Sequence, residues 1–224
     1  MVVASPATPA SPATPARPAS PATPARPARP ATSAATSAGT GPGLAGEVER
    51  ACADLSAAVE ALPWEPDDDE ESTAAAVRAL IERRGAVHTL VNDAAGAYRA
   101  ALAATGGDGH RALRATLDGT WNATRAVANQ AFIDPSTPGT VIHLCPPPDA
   151  GPLAGAAVAG LENMARTLSI EWARYGIRIT AIAPAPDARP SDVAQLACFL
   201  ASPAGDYYSG CRFDLGARPD LGLL

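Results

Sequence analysis

The chain has 224 residues and a formal net charge of −6, and these values exclude several classes of protein. An acidic chain lacks the positive surface that nucleic-acid binding requires. The sequence contains neither a recognisable secretory signal nor a run of about 18 uncharged apolar residues. It therefore predicts no membrane span and a cytoplasmic location.

The four cysteines predict neither a metal site nor a disulfide. Cys52, Cys145, Cys198 and Cys211 are far apart in the sequence and form no C-x-x-C pair. Thiols without such a pattern are typically free and buried as small apolar side chains. We expect the same of these four.

Residues 1–35 are predicted to form a disordered tail. A large share of the 23 prolines lies in the first 31 residues, where SPATPA-type repeats run without any Leu, Ile or Phe. Each proline fixes φ and removes a donor, and nothing apolar offsets the entropy of ordering. Residues 36–224 then form one domain of ordinary size. The high Ala, Pro and Arg content is typical of a GC-rich bacterial genome.

From about residue 40 the pattern alternates between helical and β-rich segments, which is typical of an α/β domain. The three clearest strands are β-branched, and each follows a glycine that can end the preceding element. In chain order the pattern predicts helices at 44–60, 72–84, 110–130, 154–175 and 191–201, clear strands at 87–91, 140–144 and 177–182, and weaker strands at 62–65 and 212–215.

The acidic run from Asp67 to Glu71 has two interpretations, a helix start and a metal site. Acidic side chains are favourable in the first turn of a helix because of the helix dipole. No histidine and no second acidic cluster accompany the run. The sequence therefore favours a helix start and predicts no metal site.

The predicted helix at 154–175 changes character along its length. Its first turns carry only small side chains up to Gly160, so a neighbour can approach closely. An apolar strip then recurs at helical spacing, formed by Leu161, Met164, Leu168 and Trp172. This strip is expected to be covered, either by the 110–130 helix or by another subunit.

Four ordered segments resemble motifs of the short-chain dehydrogenase/reductase family, in particular its ketoacyl-reductase-like branch. Residues 85–96, GAVHTLVNDAAG, resemble the family's strand that ends in N-N-A-G, and residues 161–178, LENMARTLSIEWARYGIR, resemble its long helix. Residues 180–186 resemble N-A-I-A-P-G-P, and residues 192–202 resemble D-V-A…F-L-A-S. The resemblance covers about residues 36–217. It implies a doubly wound, Rossmann-like parallel sheet, here truncated.

The resemblance also places the family's catalytic positions on residues that cannot transfer a proton. The family uses a tyrosine as general acid, a lysine four residues later that lowers its pKa, a serine that holds the substrate oxygen and an asparagine in the preceding helix. On this sequence the tyrosine and lysine positions fall at Ala154 and Val158, the serine position near Cys145 and Pro146, and the asparagine position at Thr116. The resemblance thus implies a chain with no catalytic residues.

The cofactor-binding part of the family pattern is incomplete as well. Its phosphate loop is matched only by residues 36–43, TSAGTGPG, in which Pro42 offers no N–H, and Ala34 and Ala35 precede this segment where an apolar strand is expected. A Gly/Pro linker explains the same residues. The remaining weak candidates for cofactor contacts are Gly41, Gly43, Asn92 and Gly96. We expect no NAD(P) binding by this chain.

Two connections are shorter than the family pattern requires. The span from Thr36 to Asn92 is short for two β–α units and a third strand, so the strand that reads the adenosine ribose is predicted to be missing or reduced. Only five residues separate Pro186 from Asp192, where the family places its substrate lid. Nothing is then left to close over a substrate.

The leading hypothesis is a non-catalytic subunit that pairs with an active homologue and supports it, with NAD(P) bound only by that partner. In the family, the helices that correspond to 110–130 and 154–175 form a four-helix dimer interface, which implies pairing with the homologue or with a second copy. The candidate interface residues are Trp121, Arg125, Ala157, Leu161, Met164, Leu168 and Trp172. A core position explains each of them equally well.

Two alternatives belong to other classes. His143 and Cys145 share one face of a predicted strand, which suggests an enzyme of unfamiliar mechanism, although the Cys-Pro-Pro-Pro segment offers no helix N-terminus to activate the thiol. A divergent NAD(P)-dependent reductase is the other, but it requires catalytic residues that the sequence lacks.

Overall fold

The computed structural model describes residues 33–38, 43–63 and 69–216. They form a six-stranded, wholly parallel sheet in the order β2-β1-β3-β4-β5-β6. The strands are β1 Ser33–Ala38, β2 Ala58–Pro63, β3 Thr89–Asn92, β4 Thr140–Leu144, β5 Arg178–Pro184 and β6 Cys211–Leu215. The predicted doubly wound α/β fold is confirmed.

Six helices connect the described strands. They are α1 Leu44–Asp54, α2 Glu70–Arg84, α3 Ala94–Ala104, α4 Gly109–Val127, α5 Ala154–Glu171 and α6 Pro190–Ala201. A π-helical segment, Ala128–Ile133, extends α4, and short 3-10 turns follow α5 and α6. None of the helices in the described ranges is long and apolar enough to cross a membrane.

The helices cover both faces of the sheet and form two apolar layers. Helices α2, α4 and α5 pack on one face, where Leu80, Phe132 and Leu161 are buried. Helices α1 and α6 pack on the other face around Val48 and Val193. Strands that are buried on both faces are expected to be rich in apolar, β-branched residues, and β4 is buried along its whole length and begins Thr-Val-Ile.

Helix α3 was not predicted from the sequence, although its first residues were singled out as a motif. The side chain of Asp93 accepts a hydrogen bond from the Gly96 amide at 2.8 Å and so caps the helix. The helix then continues through an alanine-rich stretch to Ala104. The cap therefore lies within the motif of residues 85–96.

The prediction at the start of the domain was wrong in two respects. Strand β1 begins at Ser33, inside the predicted tail, and it includes Ala34 and Ala35, where no strand was expected. The strand that reads the adenosine ribose was predicted to be missing or reduced. The structure instead has β2, which pairs with β1 from Ala58 and occupies the position beside it. The described sheet has one strand outside β1, whereas the usual doubly wound order has two.

The acidic run begins a helix, as predicted. Asp69 lies at the N-cap of α2, and its carboxylate accepts a hydrogen bond from the Ser72 amide at 2.8 Å. These contacts hold the pKa of the Asp69 carboxyl below its usual range. No group of His, Cys, Asp and Glu in the described ranges is arranged to hold a metal ion. Asp67 and Asp68 lie outside those ranges.

Most of the predicted interface residues belong to the core of the chain itself. Ala157, Leu161 and Leu168 are buried, and Met164 and Trp172 are partly buried against the same core. The apolar strip of α5 faces the sheet because α5 packs on β5 and β6. It does not form an exposed contact surface.

Two of the predicted interface residues do reach the surface. Trp121 on α4 is 37% exposed. Arg125, one turn later, forms an ion pair with Glu70 of α2. Both positions remain available for an interface, although the partner of Arg125 lies within this chain.

The prediction for the cysteines holds for three of the four. All four are free, and Cys52, Cys145 and Cys198 are buried. Cys211, the first residue of the edge strand β6, is exposed.

Candidate functional site

The candidate site lies at the carboxyl ends of the parallel strands, where ligands bind in open α/β sheets. A cavity of about 510 Å³ opens there between the ends of β4, β5 and β6 and the first turns of α5. It is lined mainly by apolar and proline side chains, among them Pro146, Val158 and Pro184. Parallel pairing brings these distant segments to one edge of the sheet.

The structure brings three of the predicted catalytic positions to this end of the fold. Val158, at the lysine position, lines this cavity together with Pro146, one of the two residues nearest the serine position. Ala154, at the tyrosine position, is the first residue of α5 and is buried. None of these three side chains can donate or accept a proton.

Thr116, at the asparagine position, carries a hydroxyl that is already used within its helix. Its side chain is fully buried, and Oγ1 donates a hydrogen bond to the Ala112 carbonyl oxygen at 2.7 Å. A threonine that bonds back to the preceding turn is a common structural arrangement. The Thr116 hydroxyl therefore donates its proton within its own helix and not to a substrate.

Tyr98, which sequence reasoning missed, holds the segment before α5 in place. This residue of α3 is fully buried, and its hydroxyl donates a hydrogen bond to the carbonyl oxygen of Pro152. The next residue, Leu153, has a positive φ of 64° and gives α5 no side-chain cap. Burial raises the pKa of the Tyr98 phenol. The phenol is thus engaged with the backbone in its protonated form.

The charged part of the cavity comes from β6, which also escaped sequence reasoning. Arg212 and Asp214 both line the cavity, and the Arg212 guanidinium donates to Asp214 at 3.1 Å and to Glu162 of α5 at 2.5 Å. The two carboxylates raise the pKa of Arg212. Because both partners are carboxylates, they already neutralise the positive charge of the Arg212 guanidinium. The only sequence signal was the charge at alternate positions of β6.

The environment of Cys145 does not favour a nucleophile. The thiol is fully buried, and desolvation raises its pKa to about 12. Its backbone amide donates to the carbonyl oxygen of Ile182 at 2.8 Å and so continues the pairing of β4 with β5. A thiol in this setting is almost wholly protonated at neutral pH.

His143 belongs to a buried polar cluster with Asn92 of β3. The amide nitrogen of Asn92 lies 3.1 Å from His143 Nδ1 and also donates to the Thr124 hydroxyl at 3.0 Å. An amide nitrogen is a donor, so Nδ1 accepts and the proton of the neutral ring lies on Nε2. Nε2 is buried and has no partner in the described structure. Desolvation lowers the pKa of His143 to about 4.

The cofactor candidates lie at the other end of the crevice, near the start of α1. Gly43 precedes α1 in an extended conformation and offers it no side-chain cap. Asn92 is buried in the polar cluster, and Gly96 lies in the first turn of α3. A Cβ on Gly96 would lie 2.5 Å from Asp93 Oδ2, so this glycine serves the cap. Gly41 lies outside the described residues.

Asp93 reaches from α3 to α1 and contacts both helix N-termini. Its Oδ1 accepts from the Gly96 amide at 2.8 Å, and its Oδ2 accepts from the Ala45 amide at 3.4 Å. The residue is only 2% exposed, and this burial raises the pKa of its carboxyl, while the two amides and Arg99 oppose the rise. An amide at the start of α1, of the kind that binds phosphate in such folds, thus already has an acceptor.

The connection where the family places its substrate lid is short. Strand β5 ends at Pro184 and α6 begins at Pro190. The guanidinium of Arg189 donates to both carboxylate oxygens of Asp192 at 2.9 Å, in the first turn of α6.

The sequence profile of one known family fits this chain. The family described as enoyl-(acyl carrier protein) reductase matches residues 44–187, which is more than half of the chain. The chain belongs to the short-chain dehydrogenase/reductase family. The matched region contains α1 to β5, so it includes every element that forms the crevice except β1 and β6.

Three relatives of this short-chain dehydrogenase/reductase have an assigned activity. A probable 2,4-dienoyl-CoA reductase of Bacillus subtilis is 28% identical over 169 residues, 60% of this chain and 66% of the relative. A peroxisomal 2,4-dienoyl-CoA reductase of Pongo abelii is 30% identical over 152 residues, 64% of this chain and 48% of the relative. A galactitol 2-dehydrogenase of Cereibacter sphaeroides is 29% identical over 203 residues, 74% of this chain and 78% of the relative.

The chain spans about two thirds of the first of these relatives and about half of the second.

Solved structures agree with this chain in fold. A short-chain dehydrogenase from Mycobacterium smegmatis gives a TM-score of 0.70 at 22% identity, over 84% of this chain and 93% of that one. A gluconate 5-dehydrogenase from Burkholderia cenocepacia, solved with NADP and tartrate, gives a TM-score of 0.66 at 22% identity, over 83% of this chain and 93% of that one.

Proposed function

We propose that this chain is a non-catalytic short-chain dehydrogenase/reductase subunit, which pairs with an active homologue in a hetero-oligomer and supports it. NAD(P) and the catalytic residues would then be supplied by the homologue. The observation that carries the proposal is the chemistry of the crevice. Ala154 and Val158 take the positions where a proton donor and its lysine would be needed, and Cys145 and Pro146 lie where a substrate-binding serine would be needed.

Other polar groups near the crevice are already engaged. The Tyr98 phenol bonds to the backbone, the Arg212 guanidinium is held by two carboxylates, and the Cys145 thiol is buried and protonated. A general acid must reach the substrate and exchange its proton near neutral pH. None of these three groups meets both conditions, so the crevice supports binding better than proton transfer.

The start of α1 also supports a chain that does not hold its own cofactor. A dinucleotide is anchored by its pyrophosphate at the N-terminus of the first helix. Here the Asp93 carboxylate already accepts from the Ala45 amide at that end. A pyrophosphate would have to displace this carboxylate and would meet its charge.

A partner surface is available on the outer faces of α4 and α5. The two helices pack closely, since a Cβ on Gly160 would lie 2.9 Å from the Leu117 side chain. Ala156 and Ala159 are exposed on α5, and Trp121 is exposed on α4. Small residues beside a large aromatic one suit close helix packing between subunits.

The test is co-expression with an intact homologue that carries the Y-x-x-x-K pair and is encoded by a neighbouring gene. We expect the two chains to elute together in size-exclusion chromatography. Ala159→Glu should separate them by placing a charge in the contact, while the isolated variant keeps the wild-type circular dichroism spectrum. Ala53→Glu is the matched control, because Ala53 is exposed on α1, on the opposite face of the sheet. This control should leave the complex intact.

Two outcomes contradict the proposal. One is that the chain elutes alone and changes neither the elution nor the activity of the homologue. The other is that Ala53→Glu and Ala159→Glu weaken the complex equally, which would mean that the outer surface of α4 and α5 is not the contact between the two chains.

A second candidate is a reductase that binds NAD(P) itself, which the two dienoyl-CoA reductases among the relatives favour. It requires a proton donor from outside the positions the family uses. It also requires the pyrophosphate to bind despite Asp93. Direct titration with the cofactor separates it from the first candidate.

A further inference from the structure

Cys52 and Cys198 lie against each other although 146 positions separate them in the sequence. Their Sγ atoms are 3.3 Å apart. Cys52 lies in the last turns of α1 and Cys198 in the last turns of α6. The distance is shorter than an ordinary contact between sulfur atoms, and it places the two thiols in a hydrogen bond. The other two cysteines belong to β6 and to the end of β4.

The packing of the two helices explains why the thiols meet. Helices α1 and α6 cover the same face of the sheet, and their buried residues form one apolar layer. On α6 the residues that face this layer include Ala194, Ala197 and Ala201, whose small side chains let α1 approach. The pair is close to the outer edge of the layer, since Cys52 is 5% and Cys198 is 8% exposed. A small oxidant can therefore reach it more readily than a thiol in the centre of the core.

We propose that Cys52 and Cys198 form a reversible intrachain disulfide that links α1 to α6 when the protein meets a hydroperoxide. A disulfide requires an S–S distance of about 2.05 Å, so the sulfurs must approach by roughly 1.2 Å. Rotation of the two side chains with a slight shift of the helices supplies this movement. The inference is independent of the proposed partner role.

The chemistry proceeds in two steps that balance. The Cys198 thiolate attacks one oxygen of the hydroperoxide, the O–O bond breaks, and sulfenic acid forms with release of water or an alcohol. The Cys52 thiol then attacks the sulfenic sulfur, the S–S bond forms and water leaves. Two thiols are oxidised and one hydroperoxide is reduced. The hydrogen bond from Cys52 lowers the pKa of Cys198 and so favours the thiolate there.

The link would join the first helix of the domain to its last. Closing so long a loop removes entropy mainly from the unfolded chain, so the oxidised form should be more stable. It would also fix α1, whose N-terminus lies at the cofactor end of the crevice. A stabilising effect of the size expected for such a loop raises Tm by about 10–20 °C.

The experiment uses the full chain with Cys211→Ser, which removes the exposed thiol that would join two molecules. The protein is treated with hydrogen peroxide, denatured, alkylated without reduction and mapped by mass spectrometry. We expect a cross-linked peptide that contains Cys52 and Cys198, a rise in Tm, and the loss of both after dithiothreitol. Cys198→Ala in the same background should show neither change.

The proposal is overturned if both cysteines remain open to alkylation in the peroxide-treated, denatured chain. It is also overturned if the cross-linked peptide forms while Tm stays the same or falls. Peptide mapping of the Cys211→Ser chain decides the first point without Cys198→Ala, so the test stands even if that variant folds poorly.

Discussion

Ala157→Glu is expected to unfold the domain rather than to weaken an interface. Ala157 is fully buried on α5, in a cluster of side chains from α3, α4 and α5 that includes Tyr98 and Ala112. The cluster is closely packed and apolar, so a glutamate there has neither room nor a partner. Burying an unpaired charge costs several kcal/mol, which is comparable to the whole stability of a typical domain.

Circular dichroism and thermal melting of the isolated chain measure this effect. Ala157→Glu should lose the cooperative transition or be insoluble. Ala159→Glu, the same substitution two residues later on the exposed side of α5, should melt within a few degrees of wild type. A folded Ala157→Glu chain with a wild-type Tm would contradict the packing of α5 described above.

The second large effect is a pH dependence of stability that comes from His143. Its pKa is lowered to about 4 by burial, from an ordinary value of 6.5. The unfolded chain therefore binds the proton more tightly than the folded one. The stability is fully present above pH 6.5 and falls as the pH drops toward 4. A shift of this size corresponds to about 3 kcal/mol of unfolding free energy.

Urea denaturation of wild type and His143→Asn at a series of pH values measures this contribution. Asparagine cannot titrate, and its carbonyl oxygen can accept a hydrogen bond from Asn92. We expect the difference in unfolding free energy between the two chains to shift in favour of the variant by about 3 kcal/mol between pH 7 and pH 4. Asp93, whose raised pKa acts in the opposite direction, is common to both chains and cancels. Parallel curves would mean that His143 is not held neutral in the core.

The α/β class and most elements were predictable, because local patterns determine them. Strand β4 matches its prediction residue for residue, since a short β-branched run after Gly139 has few alternatives. Strand β1 was missed because Ser, Ala and Thr carry little hydrophobic signal. It is defined by pairing with β2 and β3 on both sides. Such long-range pairing is not visible in a local window.

The same limit applies to the apolar strip of α5. Helical spacing correctly placed Leu161, Met164 and Leu168 near one face of the helix, but periodicity does not say what covers that face. The structure places the sheet there. Exposed residues such as Ala159 carry no periodic signal, so the outer surface could not be read from the sequence.

At the candidate site, the resemblance predicts which residues stand at the family's catalytic positions, and the structure brings Pro146 and Val158 to one cavity. The groups that surround them were not predictable. Arg212 meets Glu162 across 50 positions, and Tyr98 meets Pro152 across 54. Each contact depends on how separate helices and strands converge, and none of these side chains belongs to a sequence motif.

Isothermal titration of the purified chain with NADH and with NADPH most directly tests the proposal that this chain has no hydride-transfer function of its own. An intact homologue, titrated under the same conditions, provides the positive control. We expect this chain to give no heat beyond the heat of dilution. The Asp93 carboxylate already accepts a hydrogen bond from the Ala45 amide at the start of α1, and its negative charge opposes a pyrophosphate there. One cofactor bound per chain with low-micromolar affinity would contradict the non-catalytic role and favour a divergent reductase.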